Sequence, residues 1–177
     1  EVYIMILVTG GCGYIGSHTC VELLNSNYEV IIIDNLSNSK KEVIDKLKEI
    51  TGKKLKFYKG DLRNEKLINK IFKENEIDAV IHFAGLKAVG ESVKEPLKYY
   101  DNNLNSTITL LKTMKNYNCK KIIFSSSATV YGNPKTLPIT EEAELHATNP
   151  YGTTKLFIEK ILEDLYNSDK NFSIINL

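Results

Sequence analysis

The stretch Val8-Thr-Gly-Gly-Cys-Gly-Tyr-Ile-Gly-Ser17 sets four glycines, Gly10, Gly11, Gly13 and Gly16, within seven positions, directly behind the aliphatic run Ile4-Met-Ile-Leu-Val8. The run reads as a buried parallel strand. Tyr14 to Leu24, apolar at Ile15, Val21, Leu23 and Leu24, reads as a helix. The glycines therefore sit at a strand-to-helix turn. A helix start offers unpaired N–H groups and the positive end of its dipole, and glycine lets a phosphate reach them with no Cβ in the way. A diphosphate cradle and a merely tight turn would both use these residues.

Asp34 weighs for the cradle. A second strand, Glu29-Val-Ile-Ile-Ile33, leads into this carboxylate eighteen residues beyond Gly16, the distance at which a dinucleotide fold places its ribose-binding acid. A carboxylate there accepts from both adenosine ribose hydroxyls and repels a 2′-phosphate. That favours NAD over NADP, with Lys40 and Lys41 as the nearby counterweight.

The alternation continues along the chain. A helix is expected near 40–50 and a strand near Leu55 to Tyr58, ending at Gly60-Asp61. A helix near 65–74, the strand Ala79 to Phe83 and a long helix over 96–116 come next. The strand Lys121 to Phe124 ends in Ser125-Ser-Ser127. A polar loop over 132–150, a helix over 151–167 and a sixth strand from about Phe172 complete the series. Strict alternation implies parallel pairing with right-handed crossovers. The expected fold is an α/β doubly wound parallel sheet of Rossmann type, order 3-2-1-4-5-6, spanning residues 1–177 as one domain that ends inside strand six. Gly10, Asp34, Asp61, Ala84, Gly85 and Ser127 all fall at carboxyl ends of strands, where such a sheet places its ligands.

The composition excludes several classes. Of 177 residues, 42% are hydrophobic and 25% charged, which is globular. The net charge is +1 and Arg63 is the single arginine, so nucleic-acid binding is not expected. No apolar run is long enough to span a membrane and no signal-peptide pattern opens the chain, so a cytoplasmic location is expected. Cys12, Cys20 and Cys119 form no paired spacing and read as reduced thiols. No metal site is expected: His18 and Cys20 point to different sides of a helix, His82 lies in an apolar strand and His146 in a polar loop.

Tyr151 and Lys155 lie four apart at the start of a helix, hence one turn apart on one face. A nearby cation stabilises phenolate, so the pair suggests a base, although the spacing also arises by chance in a chain of ten tyrosines. Ser127, at the end of the preceding strand, can hold a substrate oxygen for that phenolate. A Ser-His-Asp hydrolase is excluded by the lack of a G-x-S-x-G elbow.

Together the glycine turn, the Y-x-x-x-K pair and the strand-five serine resemble the extended short-chain dehydrogenase/reductases. Four stretches narrow the resemblance to the UDP-glucose 4-epimerases, also called UDP-galactose 4-epimerases. These are Asp34-Asn-Leu36, His82-Phe-Ala-Gly-Leu-Lys-Ala-Val-Gly-Glu-Ser92, Tyr99-Tyr-Asp-Asn-Asn103 and Phe124-Ser-Ser-Ser-Ala-Thr-Val-Tyr-Gly132. The resemblance implies that Gly10, Gly13, Tyr14, Ile15 and Gly16 meet the diphosphate of NAD, and that Asp34, Asn35, Leu36, Ser37, Asn38 and Ser39 hold its adenosine side. It places Asp61 and Leu62 beside the adenine, has Phe83, Ala84, Gly85 and Lys87 line the cofactor, and gives Asn102 a supporting part. Tyr151 would be the acid/base and Lys155 would bind the nicotinamide ribose and lower the tyrosine pKa. Ser127 would hold the sugar 4-hydroxyl, with Lys87 also on the substrate side. The implied reaction is NAD-dependent epimerisation at C4 of a UDP-hexose through a transient 4-keto sugar, in a homodimer paired through the two long helices.

Two rivals stand beside it. Nucleotide-sugar 4,6-dehydratases resemble S-T-D-E-V-Y-G after strand five, and Ala128 and Thr129 here replace both carboxylates. A catalytically silent NAD-binding module would need no activated phenol. The family's second, substrate-binding half is expected to be absent from this sequence, so the segment alone is expected to have little turnover. The leading Glu1-Val-Tyr-Ile4 exceeds the family's usual short start.

Overall fold

The computed structural model describes residues 4–177, so Glu1 to Tyr3 of the leading extension lie outside the described residues. Six parallel strands form the sheet: β1 (Met5–Thr9), β2 (Glu29–Asp34), β3 (Lys56–Lys59), β4 (Ala79–His82), β5 (Lys121–Phe124) and β6 (Ser173–Asn176). Their order is β3-β2-β1-β4-β5-β6, as the alternation predicts. β1 pairs with β2 from Met5↔Glu29 and with β4 from Ile6↔Ala79. The chain winds one way through β1 to β3 and the other way through β4 to β6, which opens a crevice beyond the carboxyl ends of β1 and β4.

Residue parity along the strands divides the core between two faces. Ile6, Val8, Val30 and Ile32 pack with α1 (Tyr14–Asn25) and α2 (Glu42–Thr51), through Cys20, Leu24, Ile44 and Leu47. Leu7, Ile31, Ile33, Val80 and Phe124 face the other way. They meet Ile68, Ile71 and Phe72 of α3 (Glu65–Glu74), and Leu110 and Met114 of α6 (Ser106–Asn116). Ile158 and Leu162 of α7 (Pro150–Ser168) complete this layer. Covering both faces is what requires the strands to be continuous aliphatic runs.

Two segments depart from the expected pattern. The stretch read as one helix over 96–116 is α5 (Pro96–Tyr100), a π-helical turn (Asp101–Asn105) and α6 in succession, preceded by the unexpected short helix α4 (Val89–Lys94). The π turn is Asp-Asn-Asn-Leu-Asn, four of whose five residues are poor helix formers, and tertiary bonds hold it in place. α4 is too short to show an apolar stripe. A 3-10 turn (Ala128–Tyr131) also opens the loop after β5.

Candidate active site

The glycine turn has a definite steric reason. Gly10 adopts φ +70°, and a Cβ on it would lie 2.8 Å from the Ala84 nitrogen at the end of β4. A Cβ on Gly16 would lie 2.9 Å from the Gly11 Cα. The turn thus presses α1 down onto the strand ends. Gly13 caps α1 without a side-chain bond and the first turn carries no acid, so its dipole end opens into the crevice.

That crevice is a cleft of about 340 Å³. Its walls include Gly10, Gly13, Tyr14, Ile15, Gly16, Asp34, Asn35, Ser37, Asn38, Asp61, Leu62, Phe83, Ala84, Gly85, Lys87, Asn102, Ser127, Tyr151 and Lys155. Of the residues singled out from the sequence, Leu36 and Ser39 do not reach the wall. Both stand behind Asp34 instead: its Oδ1 accepts from the Leu36 N–H at 2.8 Å and from the Ser39 hydroxyl at 3.0 Å. Asp34 Oδ2 accepts from the Cys12 N–H at 3.0 Å, tying β2 to the glycine turn.

At the far end of the cleft, Asp61 is gripped by Arg63, whose Nε and Nη2 donate to its two oxygens at 3.0 and 2.8 Å. These bonds hold the Asp61 carboxyl below the usual carboxylate range. Arg63 Nη1 also donates to Asp101, joining the loop after β3 to the π turn. The sequence gives no sign of this second bond, because Asp101 lies 38 residues from Arg63.

The cleft wall after β4 is held from beneath. His82 is buried, with Nδ1 2.7 Å from the Thr9 hydroxyl and Nε2 2.9 Å from that of Thr107. Thr107 donates to the Asn103 carbonyl, so it accepts from Nε2–H, and Nδ1 accepts from Thr9. Thr9 in turn accepts from the Ala84 N–H at 3.2 Å. Burial, then the nearby Lys155, push His82 down to about 3. The Asn103 side chain accepts from the Leu86 N–H at 2.8 Å and donates to the Leu86 carbonyl and to Thr154 on α7, both at 3.0 Å. The sequence pointed to Asn102, which does line the cleft; its neighbour Asn103 was missed.

Tyr151 and Lys155 enter from α7. Asn149 caps this helix by accepting from the Gly152 N–H at 2.9 Å, Pro150 occupies the first turn, and the Tyr151 N–H donates to Ser92 at 3.1 Å. Lys155 is buried, donates to the Ser125 carbonyl at 2.7 Å, and lies 4.7 Å from the Phe124 ring centroid and 5.9 Å from that of Tyr151. Burial pushes the ammonium down to about 8, with Glu159 pulling it back up. Ser127 Oγ accepts from the Thr129 N–H at 3.2 Å and from the Thr129 hydroxyl at 2.9 Å, which leaves its own proton free to donate. The cleft therefore brings a phenol, an ammonium and a hydroxyl donor to one end of a groove whose middle is a helix N-terminus.

The family model described as GDP-mannose 4,6 dehydratase matches residues 7–177. The UDP-glucose 4-epimerase of Bacillus subtilis is 63% identical over 169 residues, 96% of this chain and 50% of that protein. That of Dictyostelium discoideum is 57% identical over 172 residues, 97% of this chain and 50% of that protein. The chain thus spans about half the length of the curated relatives it matches. Among solved structures, UDP-glucose 4-epimerase from Bifidobacterium longum, in complex with NAD+ and UDP, superimposes with a TM-score of 0.96. It is 58% identical, with 97% of this chain and 52% of that one covered. The chain belongs to the GDP-mannose 4,6 dehydratase family, within the extended short-chain dehydrogenase/reductases, and the relatives it resembles there are UDP-glucose 4-epimerases.

Proposed function

We propose that these residues form the NAD-binding domain of a longer protein that epimerises C4 of a UDP-hexose, UDP-glucose or UDP-galactose. The observation that carries this is the arrival of Tyr151, Lys155 and Ser127 at one end of the cleft that Gly10, Gly13 and Gly16 keep open. NAD fits that cleft: the glycines leave room where a Cβ would collide, the start of α1 faces a diphosphate, and Asp34 and Asp61 stand at the adenosine end. When bound, its nicotinamide supplies reversible oxidation at the sugar C4. Tyr151 as phenolate takes the O4 proton and later returns it. Lys155 supports the anionic phenol and the ribose beside it. Ser127, with its lone pairs occupied by Thr129, donates to the sugar oxygen, and Lys87 adds a cation on that side.

The family description names a dehydratase, and elimination needs an acid and a base where this chain has Ala128 and Thr129. Thr129 instead directs Ser127, which favours epimerisation. A catalytically silent module leaves the buried lysine beside Tyr151 without a task. Between α6 and α7 runs a second groove with Ile108, Leu111, Ile161 and Leu165 along it and Lys112, Lys115, Asp164 and Ser168 beside them, and this supports pairing of two copies. No helix among the described residues is long and apolar enough to cross a membrane, and the three free buried cysteines support a cytoplasmic location.

Denaturing the purified chain should release NAD or NADH, identified by mass and absorbance, and release of NADP instead would sink the cofactor assignment. Joined to the remaining half of a family member, the chain should convert UDP-galactose to UDP-glucose, and alone it should show little turnover. A joined protein that binds NAD and never reduces it on addition of UDP-sugar would return the silent module.

A further inference from the structure

Lys155 is a buried cation that forms no ion pair among the described residues; its hydrogen-bond acceptor is the neutral Ser125 carbonyl. One turn along the same face of α7 lies Glu159, half buried, and its Oε1 accepts a hydrogen bond from the hydroxyl of Ser126. Ser126 sits between the residue that holds Lys155 and the residue that faces the sugar, on the cleft wall. We propose that Glu159, fixed by Ser126, is a positioning residue that keeps the Lys155 side chain charged while leaving the cleft side of its ammonium open.

The groups facing Lys155 are few. Among the described residues, Tyr151 and Glu159 face it from its own helix, His82, which is neutral at ordinary pH, from β4, and Phe124 and Ser125 from the end of β5. Glu159 is thus the anion acting on it. A carboxylate in direct contact would occupy the ammonium's donors and compete with a ribose and the phenol. Held one turn away by Ser126, it acts through space and leaves those donors free. Ser126 also ties the arrangement to the sheet edge, since its N–H donates to the Leu177 carbonyl at 2.9 Å.

This rests on the proposed role of Lys155 beside Tyr151, but its test needs neither sugar nor turnover, so the two can fail separately. The purified chain is acetylated with a small reagent across about pH 6 to 10, the range spanning a depressed and an ordinary lysine, and modification at Lys155 is followed by peptide mass. Glu159→Gln keeps the Ser126 bond and removes the charge, and should lower the Lys155 midpoint by about one pH unit. Ser126→Ala should lower it less, in the same direction. Glu163→Gln, which removes a surface carboxylate one turn further on, should leave it unmoved. An unchanged midpoint in Glu159→Gln, or an equal shift in Glu163→Gln, overturns the proposal. Loss of fold would raise the midpoint towards that of a free lysine; Ser126→Ala then decides, a fall supporting the proposal and no change overturning it.

Discussion

His82 offers a direct measurement of how much the buried polar layer beneath the cleft contributes. Its folded value is pushed from 6.5 to about 3, first by burial and then by Lys155. The sign follows from which state binds the proton. Between those values the unfolded chain takes up a proton that the folded chain refuses, so stability is full above 6.5 and is lost as the pH falls through the window below it. From pH 7 to pH 5 the loss from this one residue is about 2 kcal/mol. Asp61, Glu91, Glu142 and Asp169 are held below their ordinary values and destabilise on acidification too, but their ordinary values are 3.8 and 4.5, so most of that loss comes below pH 5. Urea unfolding at the two pH values reads the loss directly. In His82→Gln the neutral-pH stability should fall by about 1–3 kcal/mol, because Thr9 or Thr107 loses a partner. The pH 7 to pH 5 decrement should shrink by about 2 kcal/mol. The comparison cancels His18 and His146, which both chains share. Equal decrements in parent and variant would mean that His82 accepts its proton in place, and that Nδ1 does not accept from Thr9.

Three further outcomes test the site. Gly10→Ala must adopt φ +70° and meet the Ala84 nitrogen at 2.8 Å, so it should lose about 1–3 kcal/mol of stability and its co-purifying nucleotide together. Asn149→Ala removes the cap of α7 and should cost about 1 kcal/mol in urea unfolding, and a loss indistinguishable from zero would show that Pro150 and Ser92 alone define the start of the helix. In a full-length protein bearing this sequence, Tyr151→Phe should lower turnover by about 10²- to 10⁴-fold while keeping NAD bound, and undiminished turnover would remove the phenol from the chemistry.

The fold was legible because its signals are local. Ile6 to Val8 and Val30 to Ile33 are uninterrupted because each strand is covered on both faces, and the intervening helices carry their apolar residues at helical spacing. Strand order then follows from alternation and handedness. The glycine turn, Asp34 and the Tyr151–Lys155 pair were legible for the same reason: each is a short-range pattern at an element boundary. Proximity in sequence to Asp34 does not disclose that the Leu36 N–H and the Ser39 hydroxyl both donate to its Oδ1.

The parts that sequence did not disclose are those in which buried polar groups find partners far along the chain. Thr9 and His82 are separated by 73 residues, Asn103 and Thr154 by 51, and Arg63 and Asp101 by 38. None of these pairs leaves a periodic mark. The π turn is the clearest case. Asp101 to Asn105 would be expected to continue the helix from Pro96, yet Asp101 is drawn to Arg63 and Asn103 to Leu86 and Thr154. Satisfying those groups outweighs regular α-helical bonding, whose local preference here is weak. The widened turn sets Asn102 on the cleft wall while its neighbour Asn103 braces the wall from behind. The irregularity is therefore the point where the loop bearing Arg63 and the helix that carries Tyr151 and Lys155 are both hydrogen-bonded to one turn, a link set by partner satisfaction across the fold rather than by any segment's own propensity.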